Sequence, residues 1–213
     1  MESLGKFPDR GFPEKAALTF DAEHPDRKGC RPGNADRILD ALADASATAT
    51  FFVQGRWAEA YPETAQRIPR EGHLVGNHSF YHARMPLLSD DGIRTDVRDA
   101  EGVINEILHV DPKPWFRCPF GEGSEDVRVL GILEELGYRN AHWGIVLEDW
   151  EPWRDGGAIS DDALEQIGAS REPPVVLLHT WPDGTADAVP RLLALLAASG
   201  TETVHLDRLE RVP

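Results

Sequence analysis

Short apolar runs alternate with longer amphipathic stretches along most of the chain. "AALTF" (16–20) reads as a strand, and "NADRILDALADA" (34–45) spaces its apolar residues at helical intervals. "TATFFV" (48–53), β-branched and aromatic, predicts a second strand, and "AEAYPETAQRIPREG" (58–72) a helix despite its prolines. "HLVGN" (73–77) follows as a strand. A long helix begins at about Ser89, where Ser89, Asp90 and Asp91 supply capping chemistry. The second half continues with strand "KPWFRC" (113–118), helix "SEDVRVLGILEELG" (124–137) closed by Gly137, and strand "YRNAHWGI" (138–145). Helix "SDDALEQIGAS" (160–170) and strand "PPVVLLHT" (173–180) come next. Helix "ADAVPRLLALLAAS" (186–199), with a proline near its beginning, and strand "TETVHL" (201–206) complete the series.

Seven strands in alternation with helices are compatible with right-handed β-α-β crossovers, so the expected class is α/β. Either an open doubly wound sheet or a closed barrel satisfies that pattern. No Gly-x-Gly-x-x-Gly follows the first strand and no Gly-x-x-x-x-Gly-Lys occurs, so the nucleotide-binding version lacks its fingerprint. No shift in composition marks a linker, and residues 1–213 are expected to form a single domain.

The polar residues gain meaning once they are set on this skeleton. Asp21 lies just past the first strand, followed by Glu23 and His24; His78 and His82 lie past the third. Arg117 ends the fourth strand, Asp149 and Trp150 follow the fifth, and His179 ends the sixth. In barrels and open α/β sheets the carboxyl ends of the strands converge on one face, where ligands bind. His78 and His82, four apart in "NHSFYH", would face one way on a helical turn and suit one metal ion. Alone, such a pair is weak evidence; beside acidic residues on one face it points to a metal site.

Composition removes several alternatives. Lysine and arginine number 22 against 37 acidic residues, a net charge of −15, which disfavours nucleic acid and anionic membranes as partners. Two cysteines, Cys30 and Cys118, make neither a disulfide framework nor a Cys-rich zinc cluster. No apolar run approaches a membrane span. "MESLGKFPDRGFPEKA" has neither the basic start nor the apolar stretch of an export signal. The chain as it stands is expected in the cytoplasm, or outside the cell if an export segment was removed.

The pieces "TFD" (19–21), "HSFYH" (78–82), "RCPF" (117–120), "EDW" (148–150) and "LLH" (177–179) resemble, in order and spacing, the motifs of the polysaccharide deacetylases. These are the NodB-homology domains of carbohydrate esterase family 4, and the resemblance spans roughly residues 16–206. It implies a distorted seven-stranded (β/α) barrel and metal-dependent removal of acetyl groups from an N-acetylated sugar or similar small acetamide. It further implies that His78 and His82 ligate one divalent ion, zinc, that polarises the acetyl carbonyl and acidifies a bound water. Asp21 resembles the general base, with Arg117 orienting it and holding it ionised. His179 resembles the general acid for the leaving amine, its pKa raised by Asp149. Trp150 and Leu177 would line the acetyl pocket, with Phe120 also on the substrate side. Trp143, Trp150, Trp153 and Trp181 offer faces for sugar rings.

Two positions depart from the family pattern. The usual second aspartate of the first motif is Ala22, and the later carboxylate of "DAE" (21–23), Glu23, fits an Asp-x-Glu form. Residues two apart on an extended strand share a side, so Asp21 and Glu23 would both face the cleft. Glu23 is therefore the expected third ligand; His24 and Asp26 are weaker substitutes. In the fourth motif an upstream aspartate is replaced by Val146, which puts the local loop in doubt. Two competing functions remain: a same-superfamily hydrolase opening a cyclic amide, as allantoinase-like relatives do, and a metal-free sugar-binding pseudoenzyme.

Overall fold

The computed structural model describes residues 11–24, 33–209 and 212. The elements run β1 (Lys15–Ala22), α1 (Asn34–Asp44), β2 (Thr50–Val53), α2 (Gly55–Ala60), α3 (Pro62–Arg70), β3 (Leu74–Asn77) and α4 (Asp90–Leu108). The second half runs β4 (Trp115–Phe116), α5 (Val127–Glu135), β5 (Arg139–Asn140), β6 (Ile145–Val146), α6 (Gly156–Ala169), β7 (Val175–His179), α7 (Asp183–Ser199) and β8 (Glu202–Thr203). The main sheet has the order β5-β4-β3-β2-β1-β7-β6. Its pairings are all parallel, and β8 pairs with Lys15 and Ala16 at the start of β1. This curled, seven-strand path with helices is the distorted (β/α) barrel expected from the sequence.

One expected strand behaves differently. The run 138–145 divides into β5 and β6, which pair with opposite edges of the sheet, β4 and β7. Residues 141–144 therefore carry the chain across the seam where an ideal barrel would have a continuous strand. Two bonds tie this crossing: the Ala141 amide donates to Phe116 O, and the Gly144 amide to Val175 O.

Period-two alternation sorts β1 into two faces. Ala16, Leu18, Phe20 and Ala22 join the core beneath α1, α6 and α7, whereas Ala17, Thr19 and Asp21 face the barrel interior. Phe52 of β2 packs on the interior side with Ala17, Ala141 and Val175.

Helix boundaries also differ from expectation, each for a local reason. The 58–72 stretch divides at Tyr61 (φ −130°, ψ 57°), because Pro62 keeps the residue before it out of helical geometry. α5 begins at Val127, since the Asp126 side chain accepts from the Arg128 and Val129 amides. α6 begins at Gly156, where Asp155 caps by accepting from the Ala158 amide. α7 starts at Asp183, so Pro190 lies inside the helix and leaves it one internal bond short. At α4 the expected cap is present: Ser89 Oγ accepts from the Gly92 amide, with Asp90 and Asp91 in the first turn.

Candidate active site

Because the strands are parallel, their carboxyl ends share one face. Asp21 of β1 sits in register with Phe52 of β2 and His179 of β7. Asn77 at the end of β3 pairs with Phe116 of β4. His78, Arg117 and Asp149 thus emerge beside Asp21, and Glu23 follows two residues further on the same side. All six are buried.

His78 and His82 are neighbours for a reason other than a helical turn. Residues 78–82 form an irregular loop in which Ser79 (φ 64°) and His82 (φ 57°) take left-handed backbone. The loop is held from below. Asn77 accepts the Ser79 amide, Asp96 of α4 accepts the Phe80 and Tyr81 amides, and Ser79 Oγ accepts the His82 amide. The two rings lie 5.0 Å apart.

Glu23, His78 and His82 present three donor atoms within 4.8 Å of one another. Glu23 Oε2 lies 3.2 Å from His78 Nε2 and in close contact with His82 Nε2. His78 Nδ1 is 2.9 Å from the Arg117 carbonyl, which can only accept. Nδ1 therefore carries the hydrogen, and Nε2 turns to the carboxylates. Burial pulls the His78 pKa down, but the Asp21 charge and the Glu23 hydrogen bond overturn this and raise it. That nitrogen thus sits where positive charge, whether proton or metal ion, is favoured. Burial lowers the pKa of His82, which favours its neutral imidazole. Burial pushes the Glu23 carboxyl up, but hydrogen bonds from His24, His78 and His82 leave it well below the usual range. Two imidazoles and one carboxylate with an open side are a donor set that fits a catalytic divalent ion.

Asp21 stands next to this cluster. Arg117 Nη1 donates to its Oδ1 at 2.8 Å, while Oδ2 lies 3.5 Å from His78 Nε2. The guanidinium is fully buried, donates through Nε to Ala141 O, and stacks 4.0 Å over the Phe52 ring. Burial pulls its pKa down and Asp21 opposes that shift.

Across the cleft, Asp149 grips His179. Its Oδ1 lies 2.8 Å from His179 Nδ1, and its Oδ2 accepts from the His179 amide and from Thr185 Oγ1. Burial pulls the imidazole's pKa down, yet the Asp149 charge and hydrogen bond raise it to about 9. Val146 does not disturb this arrangement: it pairs with Leu177 in β6, and the chain reaches Asp149 beyond it.

The residues enclose a cleft of about 340 Å3, whose lining includes Asp21, Glu23, His82, Phe120, Trp143, Trp150, Leu177, His179 and Trp181. Trp150 meets the His179 ring edge-on at 5.3 Å. Phe120 is half exposed at the rim, against His82 and beneath the Arg84 guanidinium. Trp153 is absent from that lining and 74 % exposed, unlike the other three tryptophans of the expected platform. Of the substitutes for Glu23, His24 is outside the three-donor group and contacts Glu23 Oε1, and Asp26 lies outside the described residues. Thr185, Asn77 and Asp96, which support the site, carry no spacing signal in the sequence.

Comparison with known proteins gives three kinds of likeness. A family model described as "Polysaccharide deacetylase" matches residues 10–141. A peptidoglycan-N-acetylglucosamine deacetylase of Bacillus cereus is 30 % identical, covering 90 % of this chain and 66 % of its own. A chitooligosaccharide deacetylase of Azorhizobium caulinodans is 28 % identical over 76 % of this chain and 71 % of its own. Among solved structures, a peptidoglycan N-acetylglucosamine deacetylase in complex with an N-oxidanyl-benzamide superposes with a TM-score of 0.80 at 27 % identity. That match covers 94 % of this chain and 90 % of the other.

Proposed function

Because the chain belongs to the polysaccharide deacetylase family, we propose that it is a metal-dependent hydrolase removing acetyl groups from an N-acetylated carbohydrate. The observation that carries this reading is the meeting of Glu23, His78 and His82 beside Asp21 and opposite His179 in one cleft. Relatives named for peptidoglycan and chitooligosaccharide deacetylation support the substrate class.

Glu23, His78 and His82 would hold one divalent ion, zinc by the preference of that metal for nitrogen donors with a carboxylate. When bound, the ion supplies Lewis acidity to the acetyl carbonyl and to a water. Asp21, pinned by Arg117 through Oδ1, would take a proton through Oδ2 from the attacking water as the water oxygen bonds to the acyl carbon. His179 delivers the proton on Nε2 to the amide nitrogen as the C–N bond breaks, so that acetate and an amine leave. Asp149, on Nδ1, fixes the ring so that Nε2 opens to the cleft. Trp150 and Leu177 line the cleft beside His179, where an acetyl methyl would be kept from water.

The test is acetate release from N-acetylglucosamine oligomers before and after metal removal, with zinc or cobalt added back. Activity should vanish on chelation and return with the ion. Asp21→Asn should lower kcat at least ~10²-fold with the fold retained, the scale of lost general-base catalysis. Full turnover by metal-free protein would defeat the mechanism, and hydrolysis of a cyclic ureide in place of the sugar would transfer the site to cyclic amides.

A further inference from the structure

The two oxygens of Glu23 meet different surroundings. Oε2 faces His78 and His82. Oε1 lies 2.9 Å from His24 Nε2 and 3.2 Å from the indole N–H of Trp181, with His179 Nε2 further off at 3.8 Å. Both partners are themselves fixed. His24 holds a left-handed backbone (φ 57°), its amide donates to Gln54 Oε1 at 3.0 Å, and its ring lies edge-on to His82 at 4.6 Å. The Trp181 carbonyl accepts from the Asn34 side chain at 2.9 Å. A glutamate one position beyond the usual aspartate is longer and has one more torsion, so it can turn both oxygens toward an ion. A second ligating oxygen would fill a coordination position that water or substrate needs.

We propose that His24 and Trp181 are positioning residues that occupy Oε1 of Glu23 and thereby restrict it to one-oxygen ligation through Oε2. This rests on the metal-dependent reading above. His24 stays off the ion: the three-donor group is made by Glu23, His78 and His82, and His24 faces the far oxygen. The displaced glutamate of this chain is then a workable ligand because two N–H donors, one from each end of the sequence, set its orientation. Hydrogen bonds to the rear of a ligand commonly change metal affinity 10–100-fold.

The experiment measures zinc affinity by chelator competition, and the visible spectrum of the cobalt-loaded protein, for the full chain and its variants. Trp181→Phe keeps the ring and removes the N–H; His24→Leu removes the imidazole; His24→Gln keeps a donor at similar reach. Trp181→Phe and His24→Leu should each raise the zinc Kd about 10-fold. Their cobalt bands should weaken as Glu23 turns its second oxygen to the ion and coordination number rises. His24→Gln should recover most of the affinity. Circular dichroism of the metal-free proteins checks folding, and Trp181→Phe decides the matter if His24→Leu does not fold. Zinc that fails to bind the unaltered protein would defeat the metal reading itself. Tight binding there, with Kd and spectra unchanged in both Trp181→Phe and His24→Leu, would overturn only the present proposal. So would a nitrogen ligand lost from the cobalt spectrum of His24→Leu, which would make His24 a ligand.

Discussion

Burial alone makes an imidazole harder to protonate, and His179 departs from that because Asp149 lies against its Nδ1. The consequence is a pH dependence with a definite sign. His179 acts as an acid only when protonated, and its pKa is raised to about 9, so kcat/KM on an acetamide should fall as pH rises through that value. Asp149→Asn removes the largest raising charge and its hydrogen bond but leaves the burial and the weaker pull of Glu23 and Asp21, so the alkaline limb should move down from about 9. A limb that stays near 9 in Asp149→Asn would take His179 out of the acid role. The same shift stabilises the fold below pH 6.5, and that contribution disappears as pH rises through about 9. That Asp21, His78, Arg117, Asp149 and His179 would meet on one face was legible beforehand, because a strand end followed by a polar residue is a local pattern. The hold of Trp181 on Glu23 was not, since those side chains are 158 positions apart and no periodicity links them.

Elements tell the same story at longer range. β1 and β7 were legible as apolar runs because they are buried on both faces. The division of 138–145 was not, because two-residue strands are too short to show a period and their opposite pairings are set by barrel closure. The i, i+4 histidine pair meets through a local structure other than the expected helical turn, a loop tied by Asn77, Ser79 and Asp96. A further dependence runs through β3. A Cβ on Gly76 would lie 2.7 Å from the Phe52 ring, and Arg117 rests on that ring. Gly76→Ala must therefore displace Phe52 or spread β2 from β3. Overpacking of this kind costs about 1–3 kcal/mol, roughly 2–12 °C in melting temperature for a chain of this size. kcat should fall with it, as the ring beneath Arg117 moves and Asp21 loses its orientation. Calorimetry and acetate release on Gly76→Ala check this, and wild-type melting with wild-type kcat would show that the close approach matters to neither.

Across the whole molecule, the three donors join two segments that share no strand pairing. Glu23 follows β1 and the histidines follow β3, with β2 between them. An ion bound by the folded chain alone would stabilise it by mass action, about 2.7 kcal/mol at a free concentration of 100 Kd. For a chain of this length that corresponds to a rise of roughly 5–10 °C in melting temperature. A net charge of −15 also draws cations without any site, so magnesium at matched ionic strength is the control. Zinc should raise the melting temperature where magnesium does not. The rise should largely disappear in Glu23→Ala and largely survive in Asp21→Asn, because Asp21 stands outside the three-donor group. Differential scanning calorimetry reads all three outcomes. Zinc with no effect would count against the metal site itself, whereas Asp21→Asn abolishing the rise as fully as Glu23→Ala would make Asp21 a ligand.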